Sequence, residues 1–142
     1  RKQIKYMNKN TPIAVFIDIP KITDPRGNLA VIEKNTVPFE VKRIYYLFDV
    51  PSGAYRGGHS HIEQKEFLIA LSGSFDVVLD NGSHKEKVTL NRPDKGLLIR
   101  EGIWRELENF SSGAICLVVS SDVFAEEDYI REYKDFLESK SR

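Results

Sequence analysis

Cysteine is nearly absent: Cys116 is the only one in 142 residues. No disulfide framework within the chain can hold the fold, and a reducing cytoplasm is the expected setting. Cys116 lies in the apolar run "AICLVVSS", which suits a buried, inert thiol better than a nucleophile. A surplus of charge is missing too. Lysine plus arginine number 21, and so do aspartate plus glutamate. That balance speaks against nucleic acid or an anionic membrane as partner, because both require a basic excess. It leaves room for a small anion held by a few local arginines. No apolar stretch approaches the roughly 20 residues of a membrane span, and no charged-then-apolar leader opens the chain. Methionine is scarce as well: the only one is Met7, and the first residue is Arg1. This suits either part of a longer chain or an N-terminal extension or linker over residues 1–12, ahead of one domain over 13–142. Internal repeats and low-complexity tracts are lacking.

What is present is a series of short strand-like runs separated by turn signals, the pattern of an all-β sandwich or barrel. "AVFIDI" (14–19), "LAVIEK" (29–34), "VKRIYYLFDV" (41–50), "EFLIALSG" (66–73), "GLLIREGIWREL" (96–107) and "AICLVVSS" (114–121) are rich in β-branched and aromatic residues. "DPRGN" (24–28) predicts a turn. In "SFDVVLDNGSHKEKVTL" (74–90), Phe75, Val77 and Leu79 alternate, and Asn81-Gly82 predicts a two-residue type I′ hairpin turn. Only "AEEDYIREYKDFLES" (125–139) changes period. Tyr129, Ile130, Tyr133, Phe136 and Leu137 recur at helical spacing and predict one C-terminal amphipathic helix.

The chemistry concentrates in "GAYRGGHSHIEQKEFLIALSG" (53–73). In a strand, His59 and His61 project to the same face. Gly53, His59, His61, Glu66 and Gly73 are spaced like the first motif of the cupin superfamily, which predicts a double-stranded β-helix, or jelly-roll barrel, with the C-terminal helix attached. Metal-binding cupins take a further histidine from a second motif. The corresponding segment here, 96–109, has none, and Arg105 within it would set positive charge beside any cation. Both facts weigh against a metal. The remaining histidine, His84, follows a turn and faces solvent. Two readings of the pair stay open besides a metal: hydrogen-bonded structural histidines, or acid–base groups, since imidazole titrates near neutrality. The acid–base reading suits proton abstraction beside a carbonyl. Arg43 and Arg105 sit within apolar strand patterns, where a charge is costly without a partner. With Arg56 and the turn residue Arg26 they are candidates for holding a diphosphate. Trp104 is a candidate for stacking on a base, with core packing as its other reading.

The runs "PFEVKRIYYLFDVPSGAYRGGHSH", "LSGSFDVVLDNG", "IWRELENFSSGAICLVVSSD" and "DYIREYKDFL" together resemble the nucleotide-sugar 3,4-ketoisomerases, over about residues 16–137. The resemblance implies a cofactor-free, metal-free cupin homodimer that moves the keto group of a dTDP-4-keto-6-deoxyhexose from C4 to C3 through an enediolate. It implies His59 as base, His61 as its relay partner, and Tyr46 and Arg56 as pocket residues holding sugar oxygens. Its product would pass to an aminotransferase, for a surface polysaccharide. Arg26 and Arg105 occupy two positions that vary between galacto- and gluco-producing relatives, so the C4 configuration stays open. Glu66 stands where some relatives carry glutamine. Three further readings are a metal-dependent cupin oxygenase using His59, His61 and Glu66, a 3,5-epimerase, and a non-catalytic sugar-nucleotide-binding domain. Dimerisation is expected through "AVFIDI" and "LAVIEK", which could pair with a partner's sheet.

Overall fold

A computed structural model describes residues 13–141; the expected extension over 1–12 lies outside the described residues. Two five-stranded antiparallel sheets face each other. The first contains β1 (Val15–Asp18), β9 (Lys95–Ile99), β6 (Glu66–Ser72), β11 (Ile115–Ser120) and β4 (Arg43–Leu47), in that order. The second runs β12 (Tyr129–Ile130), β5 (Arg56–His61), β10 (Trp104–Glu108), β7 (Phe75–Asp80), β8 (Lys85–Leu90). A separate two-stranded ribbon pairs β2 (Lys21–Asp24) with β3 (Gly27–Ala30) around the predicted turn at Pro25-Arg26. The architecture is the jelly-roll barrel that the histidine motif predicts.

Alternation places the core. Phe75, Val77, Leu79, Leu97, Ile99, Leu107 and Val118 point between the sheets and are buried. Cys116 lies among them, and burial pushes its thiol well above the usual range, so it stays protonated. On the outer side of the first sheet, Phe67, Ile69, Leu98 and Val119 are covered by Val37, with Ile32 and Phe39 beside it. Gly96 is required there, because a Cβ would lie 2.1 Å from the Phe67 ring. Farther along the same face, Ile44, Tyr46, Phe48 and Leu71 remain exposed.

Three local expectations change. The β7–β8 connection spans Asn81 to His84, since Asp80 pairs with Lys85. Gly82 has positive φ but Asn81 does not, so the type I′ geometry is not formed. Instead the Asn81 side chain accepts hydrogen bonds from the backbone N–H of Ser83 and His84. "LAVIEK" contributes only its first two residues to a strand, the ribbon β3. The predicted helix starts late. A 3-10 turn (Glu126–Asp128) and β12 precede α1 (Tyr133–Lys140), because Tyr129 and Ile130 pair with His61 and Ser60 along β5. Backbone pairing to a free strand edge outweighs the helical periodicity of two residues.

α1 is anchored by Phe136, which is fully buried against Trp104, and by the Tyr133 hydroxyl donating to Asp80. Among the described residues no helix is long and apolar enough to cross a membrane.

Candidate active site

A cavity of about 410 Å³ opens between the sheets at the β5 end of the barrel. It is positioned by a β-bulge. Arg105 pairs with His59 and Leu107 with Arg56, so Gly57 and Gly58 together face Glu106. The extra residue needs left-handed backbone, which Gly57 adopts at φ 71°, and a Cβ there would strike Leu107 at 2.5 Å. Past the bulge, alternation sends His59 and His61 inward.

The two imidazoles meet with their planes nearly perpendicular, 88° apart, and with Nε2 of His59 and Nε2 of His61 separated by 3.1 Å. His59 lines the cavity, while His61 lies behind it with no exposed surface. Nδ1 of His61 lies 3.0 Å from Oδ2 of Asp128. Burial, with the Arg105 charge nearby, lowers the His59 pKa to about 3, so this ring is neutral at physiological pH. Glu66 closes the inner wall. It accepts hydrogen bonds from the Tyr45 hydroxyl at 2.8 Å and from Arg105 at 2.5 Å, and it lies 3.6 Å from Nε2 of His61. Burial alone would raise its pKa, but His61 and Arg105 outweigh burial and hold the carboxyl at about 2. Burial and the adjacent carboxylate push Tyr45 far above the usual phenol range, so its proton stays on.

Positive charge gathers at the mouth. Arg43, Arg56 and Arg131 line the opening. Arg43 donates to the Tyr129 hydroxyl at 3.2 Å and stacks over Tyr45, and its Nε has no partner although buried. Arg131 lies 4.1 Å above the Tyr129 ring and pairs with Glu126.

Of the residues expected from sequence, His59, His61, Glu66, Arg43, Arg56 and Arg105 come together here. Three do not. Tyr46 points to the outer face, 60 % exposed and beside Phe48. Trp104 packs under α1 against Tyr133 and donates its indole N–H to Glu106. Arg26 lies at the ribbon tip, its side chain 91 % exposed and paired with Asp24. The first two follow from strand alternation: Arg43 and Tyr46 cannot share a face, nor can Trp104 and Arg105. The same rule, applied to the half-buried Arg43, selects Tyr45, which sequence reasoning missed. Asp128, Tyr129 and Arg131 were missed because they lie where a helix was expected.

His59, His61 and Glu66 each offer a ligand atom within 4.8 Å of the others, the cluster a metal would use. Both Glu66 oxygens are already engaged by Tyr45 and Arg105. A cation would stand against the Arg105 guanidinium, so the donor set does not favour one.

Residues 13–141 match the family described as FdtA: WxcM-like, C-terminal. The chain is 41% identical over 121 residues to a TDP-4-oxo-6-deoxy-alpha-D-glucose-3,4-oxoisomerase of Aneurinibacillus thermoaerophilus, covering 84% of this chain and 87% of that protein. Among solved structures, it is similar to WlaRB, a TDP-quinovose 3,4-ketoisomerase from Campylobacter jejuni, with a TM-score of 0.84, 45% identity, and coverage of 92% of this chain and 99% of that one. It is also similar to a mutant of the 3,4-ketoisomerase QdtA from Thermoanaerobacterium thermosaccharolyticum in complex with TDP-4-keto-6-deoxyglucose. There the TM-score is 0.88 at 34% identity, covering 91% of this chain and 94% of that one. The chain therefore belongs to the FdtA, WxcM-like C-terminal, family, among the nucleotide-sugar 3,4-ketoisomerases.

Proposed function

We propose that this protein is a sugar 3,4-ketoisomerase that moves the keto group of a TDP-4-keto-6-deoxyhexose from C4 to C3. The observation that carries the reading is the contact of 3.1 Å between His59 and His61 at the floor of an arginine-rimmed cavity. His59 is the ring that reaches the cavity, and as a neutral imidazole it can accept the C3 proton, which the C4 ketone acidifies. The electron pair left behind forms the enediolate. A proton returned to C4 and collapse of the C3 oxygen to a carbonyl complete the shift, and the C3 hydroxyl proton ends on the C4 oxygen. His61 takes up charge from His59, where Asp128 and Glu66 stabilise an imidazolium. Arg105 also lines the cavity, but its charge is paired with Glu66 and its Nε and second terminal nitrogen donate to the Ile103 carbonyl, so it fixes the Glu66 carboxylate beside the histidines. Arg43, Arg56 and Arg131 offer guanidinium forks to the diphosphate.

Tyr45 takes the pocket position first expected of Tyr46. The exposed Ile44, Tyr46, Phe48 and Leu71 support a homodimer, in which a second copy covers this face. β1 is already paired with β9 and β3 with β2, so the sheet face carries the dimer argument better than those segments do. The solitary thiol favours the cytoplasm as the site of action.

NMR of the product formed from TDP-4-keto-6-deoxyglucose in deuterium oxide tests the function. A 3-keto product with deuterium at C4 is expected. Deuterium at C5 would mark an epimerase, and unchanged substrate would reject the reading. An oxygenase using His59, His61 and Glu66 would instead require stoichiometric iron, nickel or manganese, which elemental analysis detects.

A further inference from the structure

We propose that Asp128 is a positioning residue that sets the tautomers of both histidines, so that His59 presents a lone pair to the sugar. The inference deepens the ketoisomerase reading and rests on it for its catalytic consequence.

Hydrogen-bond logic runs outward from the carboxylate. Asp128 is held in place by two backbone donors of the β5–β6 loop, Glu63 N–H to Oδ1 at 2.8 Å and Gln64 N–H to Oδ2 at 3.2 Å. An ionised carboxylate only accepts, so the contact of 3.0 Å with His61 requires a proton on Nδ1 of that ring. A neutral His61 then carries a lone pair on Nε2. The contact of 3.1 Å between the rings becomes a hydrogen bond only if Nε2–H of His59 is the donor. Nδ1 of His59 is left unprotonated, and among the described residues no protein group hydrogen-bonds to it. That nitrogen is the one free to act as base.

Glu66 is the competitor, since a carboxylate near Nε2 of His61 would favour the opposite tautomer. Its separation of 3.6 Å exceeds hydrogen-bond range, and Tyr45 and Arg105 occupy it. The shorter Asp128 contact decides. Tyr129, adjacent to Asp128, keeps the rings in place by packing on both, with centroids 5.0 Å from His59 and 4.4 Å from His61. When the sugar proton reaches Nδ1 of His59, Nε2–H can pass to His61, whose imidazolium then lies against Asp128.

Replacing Asp128 with asparagine reverses the chain. Glu63 N–H, at 2.8 Å the shorter of the two backbone donors against 3.2 Å for Gln64 N–H, selects the amide oxygen, which turns the amide NH₂ toward His61. Nδ1 of His61 must then accept, its Nε2 carries the proton, and Nδ1 of His59 becomes N–H. The cavity-facing base is lost while the rings stay in place.

Long-range proton–nitrogen NMR of histidine-labelled protein at mildly alkaline pH reads the tautomers directly. The chain has three histidines, and a His84→Gln variant removes the signals of the third. We expect Nδ1–H on His61 and Nε2–H on His59 in the parent protein, both inverted in Asp128→Asn. With TDP-4-keto-6-deoxyglucose, kcat should fall on the order of 10³–10⁴-fold, as for loss of the correct tautomer in a histidine–aspartate pair. KM and the melting shift with TDP should persist, and Asp128→Glu should recover part of kcat. Nε2–H on His61 in the parent, unchanged tautomers in the variant, or a loss confined to KM would each overturn the proposal. If Asp128→Asn does not fold, the parent spectrum alone decides. Absence of turnover in the parent would overturn the ketoisomerase reading while leaving the tautomer assignment standing.

Discussion

Glu66 on β6 and Arg105 on β10 meet inside the barrel as a buried ion pair, with side chains 2 % and 1 % exposed. Neither charge has water to solvate it, so each depends on the other. The pair joins the two sheets at the cavity floor, beside both histidines. Glu66→Gln should therefore leave an uncompensated guanidinium and destabilise the protein by about 3–5 kcal/mol, the usual penalty for breaking a buried pair. Urea unfolding monitored by Trp104 fluorescence measures it. A change below about 1 kcal/mol would mean that Arg105 finds another acceptor.

Acidity should act on the same floor. His59 has a folded-state pKa of about 3 against an ordinary 6.5, so below pH 6.5 the unfolded chain binds a proton that the folded chain refuses. Glu66, at about 2 against 4.5, behaves alike at lower pH. Both contributions are fully present above their unfolded values and are lost as pH falls, first from 6.5 toward 3 and then from 4.5 toward 2. The melting temperature should decline through that window. His59→Gln should flatten its upper part, and a slope unaltered by this substitution would contradict the assignment.

The rim arginines predict a different signature. Arg43→Met and Arg56→Met should raise KM for the nucleotide sugar by about tenfold each, with a smaller effect on kcat, since a charge-assisted hydrogen bond is worth about 1.5–3 kcal/mol. Steady-state kinetics at two salt concentrations would also show a weaker salt dependence. A kcat-only effect would move these residues from binding to chemistry.

The exposed outer face is testable by mass. Ile44→Asp places a charge on this face next to Tyr46, and light scattering should show a dimer in the parent protein and a monomer in the variant. A parent protein that is monomeric at high concentration would remove the dimer and leave the apolar face unexplained.

Legibility in the sequence followed the range of the interaction. The histidine pair, its shared face and the barrel strands were readable because period-2 alternation and turn residues are local. The resemblance implies Tyr46 as a pocket residue, but alternation turns it to the face opposite Arg43; of the two readings of Trp104, core packing is the one the structure shows. Asp128 was out of reach for another reason. Residues 125–139 have helical spacing, and only the free edge of β5 makes Tyr129 and Ile130 extend as a strand.

Composition, alternation and the motif spacing by themselves determined a barrel with two inward imidazoles and a set of arginines available for an anion. Tertiary structure alone decided which carboxylate touches which ring nitrogen, which arginine is neutralised by Glu66, and which tyrosine lines the cavity. Those choices depend on strands and turns separated by up to 67 residues, as His61 and Asp128 are. A hydrogen bond across that interval has no periodicity to announce it, and it exists only once the sheets have closed.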